Sequence, residues 1–289
     1  MTQKVVFKLS RYATLFRVMS YSMGVAAYAY LVVLFGVKTD DSWFTNIPSD
    51  VHAALTLVLG WLLVFRTNTS YSRWWEARTL WGSLINTSRV LAVKMSGLVR
   101  VPAADLEFSR KLIVAFGWCL RDHLRQGAKL QRLPGFEKEK VSPIHAPSWL
   151  VERMYHQMRS WKAAGIIDGD EMRALDEEVR RFLDICGGCE RIRNTRLARS
   201  YRLFARQCVF LYLITLPWGI AQEFIWWTIP LTAILSYFML GLETVAEHVE
   251  EPFGHDEDDL DLDILCRNID ESVTEILQTA ENERKAMAI

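Results

Sequence analysis

The sequence predicts an all-α membrane protein with four membrane-embedded helices and a cytoplasmic helical bundle. Three observations carry that prediction. Four long runs are apolar and free of Lys, Arg, Asp and Glu. The stretch between the second and third runs interleaves charged and apolar residues at helical spacing, and no strand-like alternation, internal repeat or low-complexity tract interrupts it.

The first run, Val18 to Val37, holds 20 residues; at about 1.5 Å each they give roughly 30 Å, the thickness of a hydrocarbon core. Lys38, Thr39, Asp40 and Asp41 end it, and a short polar loop with Pro48 leads to a second run from Val51 to Phe65. That run amounts to only about 22 Å of helix, so it either continues as helix past Arg66 or sits away from lipid. From residue 67 to 206, Leu112, Phe116, Cys119 and Leu120, and then Leu175, Val179, Phe182 and Leu183, fall at helical intervals, as in amphipathic helices packed on one another. The segment Leu130 to Pro147, with Pro134, Gly135 and Pro143, reads as a loop that divides this region. A third run, Gln207 to Gln222, and a fourth, Phe224 to Leu242, are separated only by Glu223 and suggest a helical hairpin. Pro217, Gly219 and Pro230 are expected to bend or interrupt it. The expected organisation is therefore 1–66 with membrane helices at about 18–37 and 51–66, a cytoplasmic helical region at 67–206, membrane helices within 207–242, and a cytoplasmic acidic segment at 243–289.

Charge placement is more informative than charge total. The 34 basic and 34 acidic side chains cancel, which points to no nucleic-acid partner. Arg66, Arg73 and Arg78 follow the second run, and Arg196, Arg199, Arg202 and Arg206 precede the third, so the middle region and both termini are expected in the cytoplasm. The 11 Trp suit a membrane interface. A mean hydropathy near zero is then the average of two unlike parts. The 5 Cys, an odd number, argue against a disulfide scaffold.

Three ordered motifs carry a family resemblance: Phe65-Arg-Thr-Asn-Thr-Ser-Tyr-Ser-Arg-Trp-Trp-Glu-Ala-Arg78 with Leu80-Trp-Gly82, then Gly187-Gly-Cys-Glu-Arg-Ile192, then Gly241-Leu-Glu-Thr-Val-Ala-Glu-His-Val-Glu-Glu-Pro-Phe-Gly254 with the carboxylates after it. Together they resemble the bestrophin ion channels, in particular the bacterial branch, over nearly the whole chain. The resemblance implies a homopentamer around a central pore in a bacterial inner membrane. Its partners would be further copies of itself, membrane lipid and small permeating ions. It also implies a narrow neck on the second membrane helix and a second constriction in the cytosolic vestibule.

Leu57, Trp61 and Phe65 recur every four residues and form one stripe on a helix. The spacing alone favours core packing; the resemblance reverses that preference by matching these positions to the neck, where a ring of apolar side chains gates by excluding water. Trp61 departs from the smaller or phenylalanine-like residue expected there. The resemblance places the cytosolic constriction within Ile166 to Leu175, with Met172 first and Ile166 second as candidates. Arg66, Arg73 and Arg78 could form a positive collar or could pair with carboxylates, Glu76 being within reach of Arg73 on one helix. Cys186-Gly-Gly-Cys189 has a CxxC form but stands alone, and reads as packing. His123, His145, His156 and His255 show no ligand spacing, and no phosphate loop or nucleophile elbow is present, so no enzyme is expected.

The acidic run from Asp256 to Asp259 is the sequence's metal candidate, since oxygen clusters suit calcium. In calcium-gated relatives the ion is held by carboxylates matching Asp256 and Asp259, with oxygens near the positions of His248 and Glu251. Glu251 stands where those relatives carry a neutral amide. The expectation is no required cofactor, with calcium bound weakly at most. The leading function is a channel for monovalent cations such as sodium, with an anion (chloride) channel and a non-conducting membrane scaffold as alternatives.

Overall fold

The computed structural model describes residues 2–38, 49–256 and 258–287. Within them lie eight α-helices and no strand: α1 (Thr2–Lys38), α2 (Ser49–Gly97), α3 (Ala103–Arg125), α4 (Ala146–Ala163), α5 (Gly169–Asn194), α6 (Arg199–Phe224), α7 (Thr228–Glu250) and α8 (Leu262–Met287). The loop expected around Asp40, Asp41 and Pro48 lies outside the described residues, as does Glu257 of the acidic run. The chain divides into two compact units, Met1–Trp74 with Arg196–Asp259, and Trp75–Thr195 with Leu260–Ile289.

In the first unit, α1, the first half of α2, α6 and α7 pack together. The short second run resolves into the longer alternative, because α2 continues without a break to Gly97. Its 49 residues amount to about 73 Å of helix. Leu59 and Leu63 of α2 are buried with Val209, Tyr212, Leu213, Leu216 and Ile220 of α6 and Met239 of α7. Two polar side chains in this apolar packing meet each other: the Thr56 hydroxyl donates to the His52 carbonyl at 2.7 Å, leaving its oxygen to accept from Tyr212. Trp218 Nε1 donates to the Tyr28 hydroxyl at 2.7 Å, which in turn donates to the Ile214 carbonyl at 3.0 Å. Gly219 admits the buried His52 ring, which any Cβ there would overlap.

The hairpin between the third and fourth runs differs in detail from expectation. Pro217 does not interrupt α6, and the turn comes at Ile225–Trp227, past Glu223. Ile225 takes φ +44°, a conformation costly for a β-branched side chain, and this reverses the chain over a single 3-10 turn. Pro230 sits in the first turn of α7, where a missing N–H breaks no helical bond. By length and composition three stretches among the described residues could cross a membrane: Thr14–Phe35, Asp50–Gly97 and Arg199–Glu250, the last comprising both α6 and α7. The outer surface of the unit is apolar, with Phe16 and Trp227 more than 70% exposed and Met23, Phe35, Phe210 and Phe238 also exposed. So many large apolar side chains left exposed suit contact with lipid or with another chain better than contact with water.

The second unit is built as the sequence periodicity predicts. Leu112, Phe116, Cys119 and Leu120 of α3 are buried, as are Leu175, Val179 and Phe182 of α5, with Phe116 meeting Phe182 edge to face at 4.8 Å. Leu183, at the edge of that stripe, is half-buried. The loop expected from Leu130 to Pro147 ends at His145, since Ala146 and Pro147 already belong to the first turn of α4, where a proline breaks no helical bond. Up to there it is irregular apart from one 3-10 turn, and Leu130, Leu133 and Phe136 pin it to the core. The acidic tail contains an amphipathic helix that the sequence reading did not separate: α8 buries Cys266, Ile269, Val273 and Leu277, and its Ile269 packs beside Gly117 of α3. Arg121 and Arg125 hold Asp263 at the start of that helix. Glu178, 2% exposed, accepts from Lys94 of α2 at 2.8 Å and pairs with Arg181.

Candidate functional site

Helix α2 turns one face inward and one outward. Leu59, Leu63, Arg66 and Ser70 are buried at intervals of four, three and four, the period of a helix edge. Leu57, Trp61 and Phe65, roughly 200° around the helix from the buried Leu59 and Leu63, are 67%, 63% and 57% exposed. With Ala53, Thr56, Gly60 and Val64 they line an apolar groove of about 610 Å³. Each lining residue comes from α2, and the rings of Trp61 and Phe65 lie 5.7 Å apart. The stripe read from the sequence is therefore not core packing within this chain.

The charges at the end of the groove are tied down. Arg66 is fully buried, and its guanidinium pairs with the buried carboxylate of Glu243 on α7. Arg206 of α6 donates to the same carboxylate at 2.9 Å and also reaches Glu247. Arg66 thus does not join a solvent-facing collar; burial takes it to a carboxylate instead. Arg73 donates to the Glu250 carbonyl at 3.4 Å, whereas Glu76 pairs with Arg191 of α5. Both charges find partners distant in sequence.

The candidates for a cytosolic constriction fall at the α4–α5 connection. Ile166 follows α4 beside Gly165, whose φ of +71° ends the helix, and Met172 lies in the first turn of α5. Both are half-buried, while their neighbour Ile167 is buried. A capping box fixes this turn: Asp168 Oδ1 accepts from the backbones of Asp170 and Glu171 at 2.8 and 2.7 Å, and Glu171 accepts from the Asp168 backbone.

The acidic loop after α7 is folded onto itself. Asp259 Oδ2 accepts from the Asp256 backbone, and it lies so close to Gly254 that a Cβ there would sit 2.6 Å away. Glu251 forms an ion pair with Arg196, and His248 lies 3.7 Å from Asp258. Among the described residues these groups do not converge into the set of six to eight oxygens that calcium takes.

Cys186 and Cys189 are buried, and burial pushes the Cys186 thiol up to about 12 and Cys189 higher still, so neither supplies a thiolate. Gly188 between them lies against Leu80 of α2, whose methyl would be 2.9 Å from an added Cβ. The motif serves helix packing, as its small residues suggest.

A family model described as Bacterial/Fungal Bestrophin protein matches residues 2–275. A voltage-dependent anion channel-forming protein of Mesorhizobium japonicum is 32% identical over 283 residues, covering 95% of this chain and 90% of that one. One from Synechocystis is 31% identical over 261 residues, covering 84% and 83%. A crystal structure of a bacterial bestrophin homolog from Klebsiella pneumoniae aligns with a TM-score of 0.82 at 22% identity, covering 91% of this chain and 98% of that one. At that identity the likeness speaks for the fold.

The buried ion pair makes an unequal demand on its neighbours. Glu243→Ala leaves the Arg66 guanidinium buried without its carboxylate and is expected to destabilise by about 3–5 kcal/mol. Glu247→Ala, at a half-exposed pair, is expected to cost at most about 1 kcal/mol. Melting of the detergent-solubilised protein compares the two; equal losses would contradict the burial argument.

Proposed function

The chain belongs to the bacterial and fungal bestrophin family, and from that premise we propose that it is one subunit of a membrane ion channel whose conducting neck is the outward face of α2 at Leu57, Trp61 and Phe65. The observation that carries this reading is the apolar groove: seven residues of a single helix face, with Leu57, Trp61, Val64 and Phe65 large and exposed, and no covering element among the described residues of their own chain. Copies of the chain arranged around an axis, five in the proposed assembly, would turn these faces toward one another. The rings so formed are apolar, and an ion passing them loses hydration without a polar replacement, so the neck excludes ions whenever it is narrow enough to dry. Trp61 supplies the largest ring, and its contact with Phe65 lets it lie along the helix instead of across the opening. Met172 and Ile166 are proposed for a second constriction on the strength of the resemblance and of their half-buried place at a well-capped helix start.

The names of the curated relatives lend no support to sodium as the carried ion. They speak of anion channels, and anions are the reading we favour. An apolar neck imposes no sign of its own, so selectivity falls to groups on either side of it. The family is one of channels, and catalysis forms no part of the proposal. The proposed orientation in the bacterial inner membrane keeps both termini and the region 67–206 in the cytoplasm, supported by the arginines flanking the apolar stretches. No cofactor is required in this reading, and calcium is held weakly at most, since Asp259 already caps its own loop and Glu251 is engaged by Arg196.

In reconstituted bilayers under a sodium chloride gradient, the reversal potential should approach that of chloride, and Trp61→Ala should raise the current severalfold by widening the dry neck. A potential near that of sodium would reject anion selectivity. Unchanged current in a well-assembled Trp61→Ala protein would reject the neck. A cysteine introduced at Pro134 should resist a membrane-impermeant thiol reagent applied outside spheroplasts; labelling there would reverse the topology. Calorimetric titration with calcium chloride should show no micromolar binding. Tight binding abolished by Asp259→Ala would restore the acidic loop as a calcium site.

A further inference from the structure

In the second unit, three helices bring two imidazoles and a carboxylate to one point. His123 lies near the end of α3, His145 caps the start of α4, and Glu190 sits on α5. His123 Nε2 is 2.6 Å and His145 Nε2 is 2.9 Å from the same oxygen, Glu190 Oε1, and the two rings meet edge to face at 4.9 Å. The three ligand atoms lie within 4.8 Å of one another, and all three side chains are half-buried. Nothing in the proposed conduction path uses them.

We propose that His123, His145 and Glu190 form a binding site for a divalent transition ion of the zinc class. Two imidazole nitrogens and one carboxylate oxygen are the donor set of three-ligand zinc sites, with a solvent molecule in the fourth position. Calcium and magnesium are disfavoured because they want mostly oxygen. Tetrahedral zinc with ligands at about 2.0–2.1 Å separates neighbouring donors by about 3.3 Å, so the imidazole–carboxylate distances of 2.6 and 2.9 Å need to open by about 0.7 and 0.4 Å. Half-burial leaves room for both the solvent ligand and an entry path.

The surroundings support the exchange of hydrogen bonds for metal bonds. In the ion-free arrangement each Nε2 carries a proton toward Glu190, and His145 Nδ1 accepts from the Ser148 backbone at 3.1 Å as the cap of α4. When His145 Nε2 binds the ion the neutral ring changes tautomer: the Nε2 proton is lost to solvent and Nδ1 takes one up from it, so the ring's single proton resides on Nδ1. There Ser148 Oγ, 2.6 Å away, can accept it. Such an outer partner for the second ring nitrogen is what orients metal-bound histidines. Ion binding would therefore cross-link α3, α4 and α5 and exchange the backbone cap of α4 for a side-chain bond to Ser148 Oγ, leaving the Ser148 N–H to solvent.

The test is calorimetric titration of the chelator-treated, solubilised full-length protein with zinc chloride, and in parallel its melting temperature with and without zinc. The expected result is saturable binding of one ion per chain, with a raised melting temperature. His123→Gln retains a side-chain donor for Glu190, and His145→Asn retains a cap for α4, so both should fold. Each should weaken zinc binding by more than about tenfold, the loss seen even for outer-shell changes, and abolish the thermal shift. Absence of zinc binding, or binding that both variants leave unchanged, would reduce the cluster to a hydrogen-bonded tie between helices and overturn the proposal.

Discussion

A guanidinium is buried at Arg66, and the arrangement of the first unit follows from where its charge is answered. Glu243 answers it from α7, and Arg206 of α6 shares the same carboxylate. These three residues hold α2, α6 and α7 together at one level. They also fix the rotation of α2. With Arg66 turned inward alongside Leu59 and Leu63, helical geometry leaves Leu57, Trp61 and Phe65 facing outward. Charge burial at one residue thus selects the apolar face that the protein presents.

The same logic explains why an expensive group is retained in an apolar unit. A buried ion pair adds little net stability over a hydrophobic replacement, but it has few alternative partners and so specifies one register. An apolar helix packed by leucines alone could rotate by one residue at small cost. A helix carrying Arg66 cannot do so without stranding a charge. The groove along α2 therefore has a defined composition, and a neck made from it would have a defined one too.

The second unit relies on a different balance. Its core is conventional helix packing, with Phe116 against Phe182 and α8 laid over α3 beside Gly117. Polar groups in it are placed at helix ends: the Asp168 capping box starts α5, Lys94 near the end of α2 meets Glu178, and His145 starts α4. Helix ends carry unsatisfied backbone groups, so they attract these side chains. Where two such ends meet a carboxylate, as at Glu190, a site for chemistry arises from what began as capping.

The sequence by itself determined the helical class, the apolar runs, the amphipathic stripes at Leu112 to Leu120 and Leu175 to Phe182, and the proline-marked loop, because each is a local pattern of period or composition. It also marked Leu57, Trp61 and Phe65 as one stripe, but not whether that stripe turned inward or outward in its own chain. The tertiary structure decided the direction, since the partner that turns Arg66 inward lies 177 residues away. It likewise sent Glu76 to Arg191, extended α2 to Gly97, closed Asp259 onto its own loop, and joined His145 to Glu190 across 45 residues. Periodicity records which face of a helix is apolar. The identity of what meets that face is a long-range property, set by charge pairing and packing between segments that no local pattern connects.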